Sequence, residues 1–434
     1  MSEYAENLSS ALAQRRYERI ASIMDSTVKR GSEEIFTLSD MLDQVFLNKY
    51  LGIPIFLTML WTMFQFAFAV SEPFVVIIEK IFEMLGAWSD QIISNPHLAS
   101  FVSLGIIGGL GSVLVFIPPI FGLFLALSIL EDSGYMARAA FVMDRFMYHL
   151  GLHGRSFIPL MIGFGCNVPA IMAARSMDNE KDRMITMLIS PLISCSARLP
   201  VYVLIAGALY GADYAGTAVF AVYALGIILA VAMALIFRRT LFKGEPSPFV
   251  LELPTYAVPK ARTAVLHMWS RGKMFLKKAG TIIFGAAILV WFLSVHPWEA
   301  TSGGQVIAES YIAWIGHAIE PLFQPFGWDW MAAVALLFGL VAKEVVVGTY
   351  GILLGAEEAS LGDALVSQGV FTPLTGFAFM AFVLIYVPCV AVIGTIAKET
   401  NSIRWPAFAL VYQTVLAFII AGMIIGAGRL LGLS

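Results

Sequence analysis

GFGCNVPA, residues 163–170, interrupts an apolar segment with two glycines, a proline, a thiol and an amide. A plain membrane helix has no use for these groups. Glycine and proline at bilayer depth free main-chain amides and carbonyls, which persist only where protein or a watery cavity satisfies them. The stretch therefore predicts a broken, re-entrant segment with Cys166 and Asn167 beside unwound backbone. It reads as half of a cation-handling site.

The surrounding composition fits that reading. Of 434 residues, 59% are hydrophobic and only 13% charged, too little charge to cover a soluble domain of this length. Apolar runs reach about twenty residues, the length that crosses a bilayer core. The expected fold is an all-α polytopic membrane protein. Scored at that length it has about eight to ten spans, with two inverted gate-type repeats and broken or re-entrant helices. Lys plus Arg is 27 and Asp plus Glu is 30, a balance that argues against a nucleic-acid binder. The three cysteines, Cys166, Cys195 and Cys389, all lie in apolar segments. An odd number there is no disulfide framework. Cysteine is also a small buried hydrophobe, but each of these neighbours a proline or a polar cluster. The N-terminus, MSEYAENLSSALAQRRYERI, lacks the early apolar core of a signal peptide.

Basic residues set the expected orientation. Residues 238–278 carry nine Lys and Arg, and 279–342 carry none. The first stretch is expected inside and 297–329 outside; Arg138 to Arg183, Lys398, Arg404 and the N-terminus also fall inside. The segment around Cys166 must then enter and return from the inside. The segment around VAKEVVVGT (341–349) must do so from the outside. Each is followed by a span with a cysteine near a proline, in SPLISCSARLP (190–200) and YVPCVAV (386–392). That is an inverted repeat with its site near the midplane. The expected divisions are 1–50, a cytoplasmic linker and amphipathic helix; 51–98, a first span at 52–70 and an external amphipathic segment; 99–237, a first gate repeat; 238–278, a cytoplasmic basic linker; and 279–434, a second gate repeat and C-terminal spans.

Glu344 lies in mid-segment, where an ionisable residue is costly and points to function; a local Lys343–Glu344 ion pair holding the loop is the structural alternative. Glu131 and Asp132 follow a span directly, where an interfacial cap is the alternative. Arg198 would pair with an acid or snorkel inward. Thiols with one carboxylate and an Asn carbonyl suit a soft or borderline metal such as Fe(II), Cu(I) or Zn(II), whereas Mg(II) and Ca(II) want oxygen shells. No phosphate loop, GxGxxG, HExxH or GxSxG signature is present, so an enzyme is not expected.

NKYLGIPIF (48–56), PPIFGLFLALSILEDSGYMARAAFVMDR (118–145), IPLMIGFGCNVPAIMAAR (158–175), SPLISCSARLP (190–200), PFVLELPTY (248–256), AKEVVVGT (342–349) and YVPCVAVIGTIAKE (386–399) together resemble ferrous iron transport protein B (FeoB). The resemblance covers nearly the whole chain and implies its membrane, or permease, region. It implies Fe(II) as the transported ion, moved across the cytoplasmic (inner) membrane with the N-terminus inside. The family's iron-path residues fall on Cys166, Cys195 and Cys389, with Asn167, Glu131 and Glu344 in equally characteristic motifs. GTP enters only through a G domain, which the family carries ahead of this region and this sequence lacks; that domain would be removed or supplied in trans. A small FeoA-like cytoplasmic protein and a second copy of the chain are the other expected partners. The alternatives are a nucleoside-like or other solute transporter, or a non-transporting membrane scaffold for the G domain.

Overall fold

The computed structural model describes residues 15–20, 22–24, 27, 38–48, 51–115, 117–149, 152, 154–177, 179–243, 254–275, 281–296, 310–354 and 361–432. Among these, all regular structure is helical. The chain divides into two units, Met1–Val45 and Phe46–Ser434. The first contributes most of a short helix, Leu38–Phe46, with Met41 and Val45 exposed. Everything below concerns the second. Residues 297–309 of the segment expected outside, and part of the PFVLELPTY motif, lie outside the described residues.

Six helices are long and apolar enough to cross a membrane, among the described residues: Gly52–Ile92, His97–Asp132, Glu180–Gly211, Asp213–Thr240, Pro373–Thr400 and Arg404–Leu430. The expectation of more spans also counted shorter pieces. These are present as two helical hairpins and as the 15-residue helix Thr281–Val295. The chain is thus an all-α polytopic membrane protein.

The first span departs from expectation. Residues 52–70 and the segment after them form one helix, α1 (Gly52–Ile92), of 41 residues. At 1.5 Å per residue it is about 60 Å long, twice the thickness of a hydrocarbon core. Pro73 lies inside it without ending it. A proline removes one amide donor, yet a long helix packed along a neighbour can absorb that loss. The neighbour is α2 (Ile117–Asp132). The two approach so closely at Gly122 that an added Cβ would lie 2.7 Å from the Ala67 carbonyl oxygen.

After α3 (Tyr135–His149) come the paired short helices α4 (Phe157–Gly163) and α5 (Asn167–Ala173). Then α6 (Glu180–Ile189) runs to a break before α7 (Leu199–Thr240). Helix α7 is two helices joined at Gly211, whose φ of 66° and ψ of 178° suit only glycine. The basic stretch is not a free linker throughout. Its helix α8 (Ala261–Phe275) packs along α2, with Trp269 stacked on Phe121.

The second half repeats the order. After α9 (Thr281–Val295) and α10 (Tyr311–Phe323) come paired short helices, α11 (Trp330–Phe338) and α12 (Val345–Leu354). Following α13 (Leu361–Ser367), helix α14 (Pro373–Ile385) runs to a break before α15 (Val390–Thr400), and α16 (Arg404–Leu430) closes the chain. One large core joins the halves, with Leu188, Leu192 and Val201 from the first and Val383, Leu384 and Ala417 from the second.

Candidate functional site

Four helix breaks build the site: Phe164–Cys166, Ile193–Cys195, Gly339–Glu344 and Tyr386–Cys389. Each cysteine is the last non-helical residue before a new helical segment. Cys166 is extended (φ −154°, ψ 129°) and starts α5. Cys195 (φ −90°, ψ 165°) starts the turn that leads into α7, and Cys389 (φ −57°, ψ 152°) starts α15. The amides of a first helical turn have no partner within the helix, and the macrodipole is positive there. The three thiols thus stand at three helix N-termini.

The hairpin breaks are tied to the span breaks by the same bond in both halves. The amide of Ser196, one residue past Cys195, donates to the Gly165 carbonyl at 3.2 Å. The amide of Val390, one residue past Cys389, donates to the Leu340 carbonyl, also at 3.2 Å. Ser196 Oγ adds a second bond to Gly165 O at 2.9 Å. Gly165 is a glycine because α2 presses on it, and a Cβ there would lie 2.6 Å from Leu123 Cδ2. The freed carbonyls at this depth are therefore spent on the partner break, as a low-dielectric surrounding requires.

Side chains take up further carbonyls. Arg198 is 1% exposed, and its Nη1 donates to Pro191 O (3.0 Å) and Ile193 O (3.1 Å). It neither pairs with an acid nor snorkels; the end of its own broken span is a nearer set of acceptors. Lys343, 2% exposed, donates from Nζ to Val387 O at 2.7 Å and sits 3.2 Å from the Tyr386 ring centre. Asn167 is buried and turns its amide nitrogen to Ser190 O (3.0 Å) and Gly163 O (3.2 Å). The opposite orientation would set its oxygen against those acceptors and leave one 3.4 Å bond to Ile193 O. Its nitrogen thus ties the hairpin to the end of α6.

Cys166 and Cys195 thus sit at one bonded pair of breaks, and Cys389 and Glu344 at the other. All three thiols are free and partly buried. Among the described residues, no three His, Cys, Asp or Glu side chains stand close enough to enclose one ion. Glu131 is not brought to this group. Leu123 of α2 packs on Gly165, and Glu131 lies eight residues on, at the exposed end of the helix, about 12 Å away at helical rise.

Helices α5 and α15, which start at Cys166 and Cys389, pack together. Just beyond the end of α5, Arg175 pairs with Glu399 near the end of α15. The residues that sequence reasoning left unassigned here are Ser196, Tyr386 and Val387. Lys343 was weighed only as a local partner of Glu344, and among the described residues no ion pair joins those two. The adjacency of Lys343 to a helix break was the available signal.

Two family models match the chain. The family described as "Nucleoside recognition" matches residues 113–209 and 276–403, and "Ferrous iron transport protein B C terminus" matches 219–271. The chain is 45% identical over 426 residues to an Fe(2+) transporter FeoB of Methanocaldococcus jannaschii, covering 97% of this chain and 63% of that protein. It is 40% identical over 443 residues to Fe(2+) transporter FeoB of Staphylococcus aureus (strain COL), covering 99% and 66%. A protein of Porphyromonas gingivalis described as an Fe(2+) transport protein A/Fe(2+) transporter FeoB fusion is 39% identical over 471 residues, covering 98% and 56%. The chain thus spans less than two thirds of the length of these relatives. No solved structure matches.

Proposed function

The chain belongs to the ferrous iron transport protein B family, as its membrane region, and from that membership we propose that it is a permease domain for inward movement of Fe(II). Cys166, Cys195 and Cys389 act as successive soft contacts for the ion, and Glu344 offsets its charge. Thiol ligands favour a borderline cation over Mg(II) or Ca(II). The observation that carries this reading is that three thiols and one carboxylate stand at helix breaks bonded in pairs, with α5 and α15, the helices that Cys166 and Cys389 start, packed together. An open series of contacts suits transport, because an ion must bind well enough to enter and weakly enough to leave.

Movement of the broken segments gates the path. Packing of α5 on α15, closed by Arg175–Glu399, supports an inner gate made jointly by the two halves. GTP acts through a G domain, on the same polypeptide or in trans, that meets the cytoplasmic face. The fusion relative supports a FeoA-like protein as a further partner. The membrane is assigned as the cytoplasmic one, with the N-terminus and 238–278 inside. Glu131 is assigned to the mouth of the path, and Asn167 to bracing the first break.

The test is Fe(II) flux into liposomes that hold this chain, with and without a G-domain partner and GTP. Saturable Fe(II) flux supports the proposal. No flux under any of these conditions overturns it in favour of a scaffold. The description "Nucleoside recognition" gives a second arm, since inhibition by nucleosides but not by other divalent metals would favour an organic-solute carrier.

A further inference from the structure

The two buried cationic side chains near the thiols differ in a way that matters. Arg198 donates from one nitrogen, Nη1, to two carbonyls of its own break, five and seven residues away. It reads as a fixed brace. Lys343 instead comes from the opposite hairpin and reaches 44 residues along the chain to Val387. Among the described residues, Val387 O is its one hydrogen-bond acceptor, and the Tyr386 ring face lies against the same nitrogen. A carbonyl oxygen and a ring face side by side attract a cation. Val387 is two residues before Cys389, one of the proposed contacts. The amino group also lies within electrostatic reach of Cys389, Cys195, Glu344 and Arg198. The Tyr386 ring is itself held, because its hydroxyl donates to Leu336 O at 3.2 Å. The carbonyl and the ring are therefore fixed, while the lysine stem has four rotatable carbons.

We propose that the Lys343 amino group is a tethered place-holder for the permeating cation, seated on the Val387 carbonyl beside Cys389 and displaced when a divalent ion binds there. The proposal rests on the reading of this chain as a divalent-cation permease. Its consequence is weak, selective binding. An ion must evict the amino group to gain the carbonyl, which lowers affinity and lets the ion leave. A monovalent ion gains too little from the thiols to do so. Lys343 would thus be a positioning and specificity residue, distinct from the groups that contact the ion through sulfur or carboxylate.

The test measures Fe(II) binding to the purified full chain in detergent under anaerobic, reducing conditions, with Mn(II) as a competitor. Lys343→Met removes the amino group at nearly constant volume. It is expected to bind Fe(II) about tenfold or more tighter than the unaltered chain, the scale of a charge-assisted hydrogen bond that no longer competes. Mn(II), also divalent, should gain alongside Fe(II), while discrimination against a monovalent ion such as K(I) should fall. Lys343→Arg, which keeps a charge and adds donors, is expected to bind more weakly. Where Lys343→Met does not fold, Lys343→Gln still donates to Val387 O without a charge and should also bind more tightly. Equal or weaker Fe(II) binding by the folded Met or Gln variant overturns the proposal and leaves Lys343 as a cap for the end of α14. No saturable Fe(II) binding by either the unaltered chain or these variants overturns the iron reading and this proposal with it.

Discussion

The main-chain amide of Ser196 donates to the carbonyl of Gly165 at 3.2 Å, and the pair joins the two breaks that carry Cys195 and Cys166. Val390 and Leu340 repeat the bond at the other cysteine break. Two halves with little sequence likeness thus share one device: the residue after a span cysteine anchors the tip of a hairpin. Its effect is to hold the thiols and the helix N-termini beside the hairpin tips.

If the thiols contact the ion, Cys166→Ser or Cys389→Ser should lower Fe(II) uptake about 10- to 100-fold, the range seen when support of a metal site is lost. The amount of folded protein in the membrane should not change, since each thiol is small and makes no disulfide. Uptake assays normalised to folded protein decide this; wild-type uptake in both variants would remove the cysteines from the path.

Gly226 lets the second part of α7 approach the end of α6, and a Cβ there would lie 2.8 Å from the Leu192 carbonyl oxygen. Main chain cannot give way as a side-chain tip can. Gly226→Ala should cost about 1–3 kcal/mol, the usual penalty of overpacking. Gly207→Ala, with nothing within 4 Å, is the control and should stay within about 0.5 kcal/mol of neutral. Thermal unfolding in detergent measures both.

The Arg175–Glu399 pair joins the halves, with side chains 55% and 10% exposed. Arg175→Gln should alter stability by about 1 kcal/mol, since the Arg175 end of the pair is screened by solvent. Its role in gating is tested by Arg175→Cys combined with Glu399→Cys. Oxidation should stop Fe(II) uptake and a reductant should restore it. Full uptake with the cross-link in place would show that these helices do not part during transport.

Asp182 and Arg238 form a buried pair, 2.8 Å apart, with side chains 0% and 8% exposed. Asp182→Ala strands the guanidinium and should cost about 3–5 kcal/mol. Asp182→Asn with Arg238→Gln should cost clearly less than the sum of the two single changes. A double-mutant cycle on unfolding temperature checks the coupling.

Several parts of this arrangement were legible in the chain itself. Gly163, Gly165 and Pro169 marked the first break, and Pro388 and Cys389 marked the last. The basic cluster from Arg138 to Arg183 suggested one segment that enters and returns, the gap in basic residues from 279 to 342 a second, and paired short helices stand at both places. Other parts were not. A first span at 52–70 followed by a separate amphipathic segment was expected, yet α1, packed against α2, runs on through Pro73 to Ile92. Arg198 sits on local carbonyls although its charge suggested an acid or the membrane surface. Glu131 lies in an equally characteristic motif but sits eight residues, about 12 Å of helix, beyond Leu123, which packs on Gly165.

The sequence by itself determined the membrane class, the places where helices must break and the residue types beside them, because bilayer thickness and main-chain hydrogen bonding act on local stretches. Only the tertiary structure decided which break faces which, and that Lys343 reaches Val387 and not its neighbour Glu344. Those choices depend on groups distant in sequence meeting in a low-dielectric interior, where every freed carbonyl must find a donor from some other part of the chain.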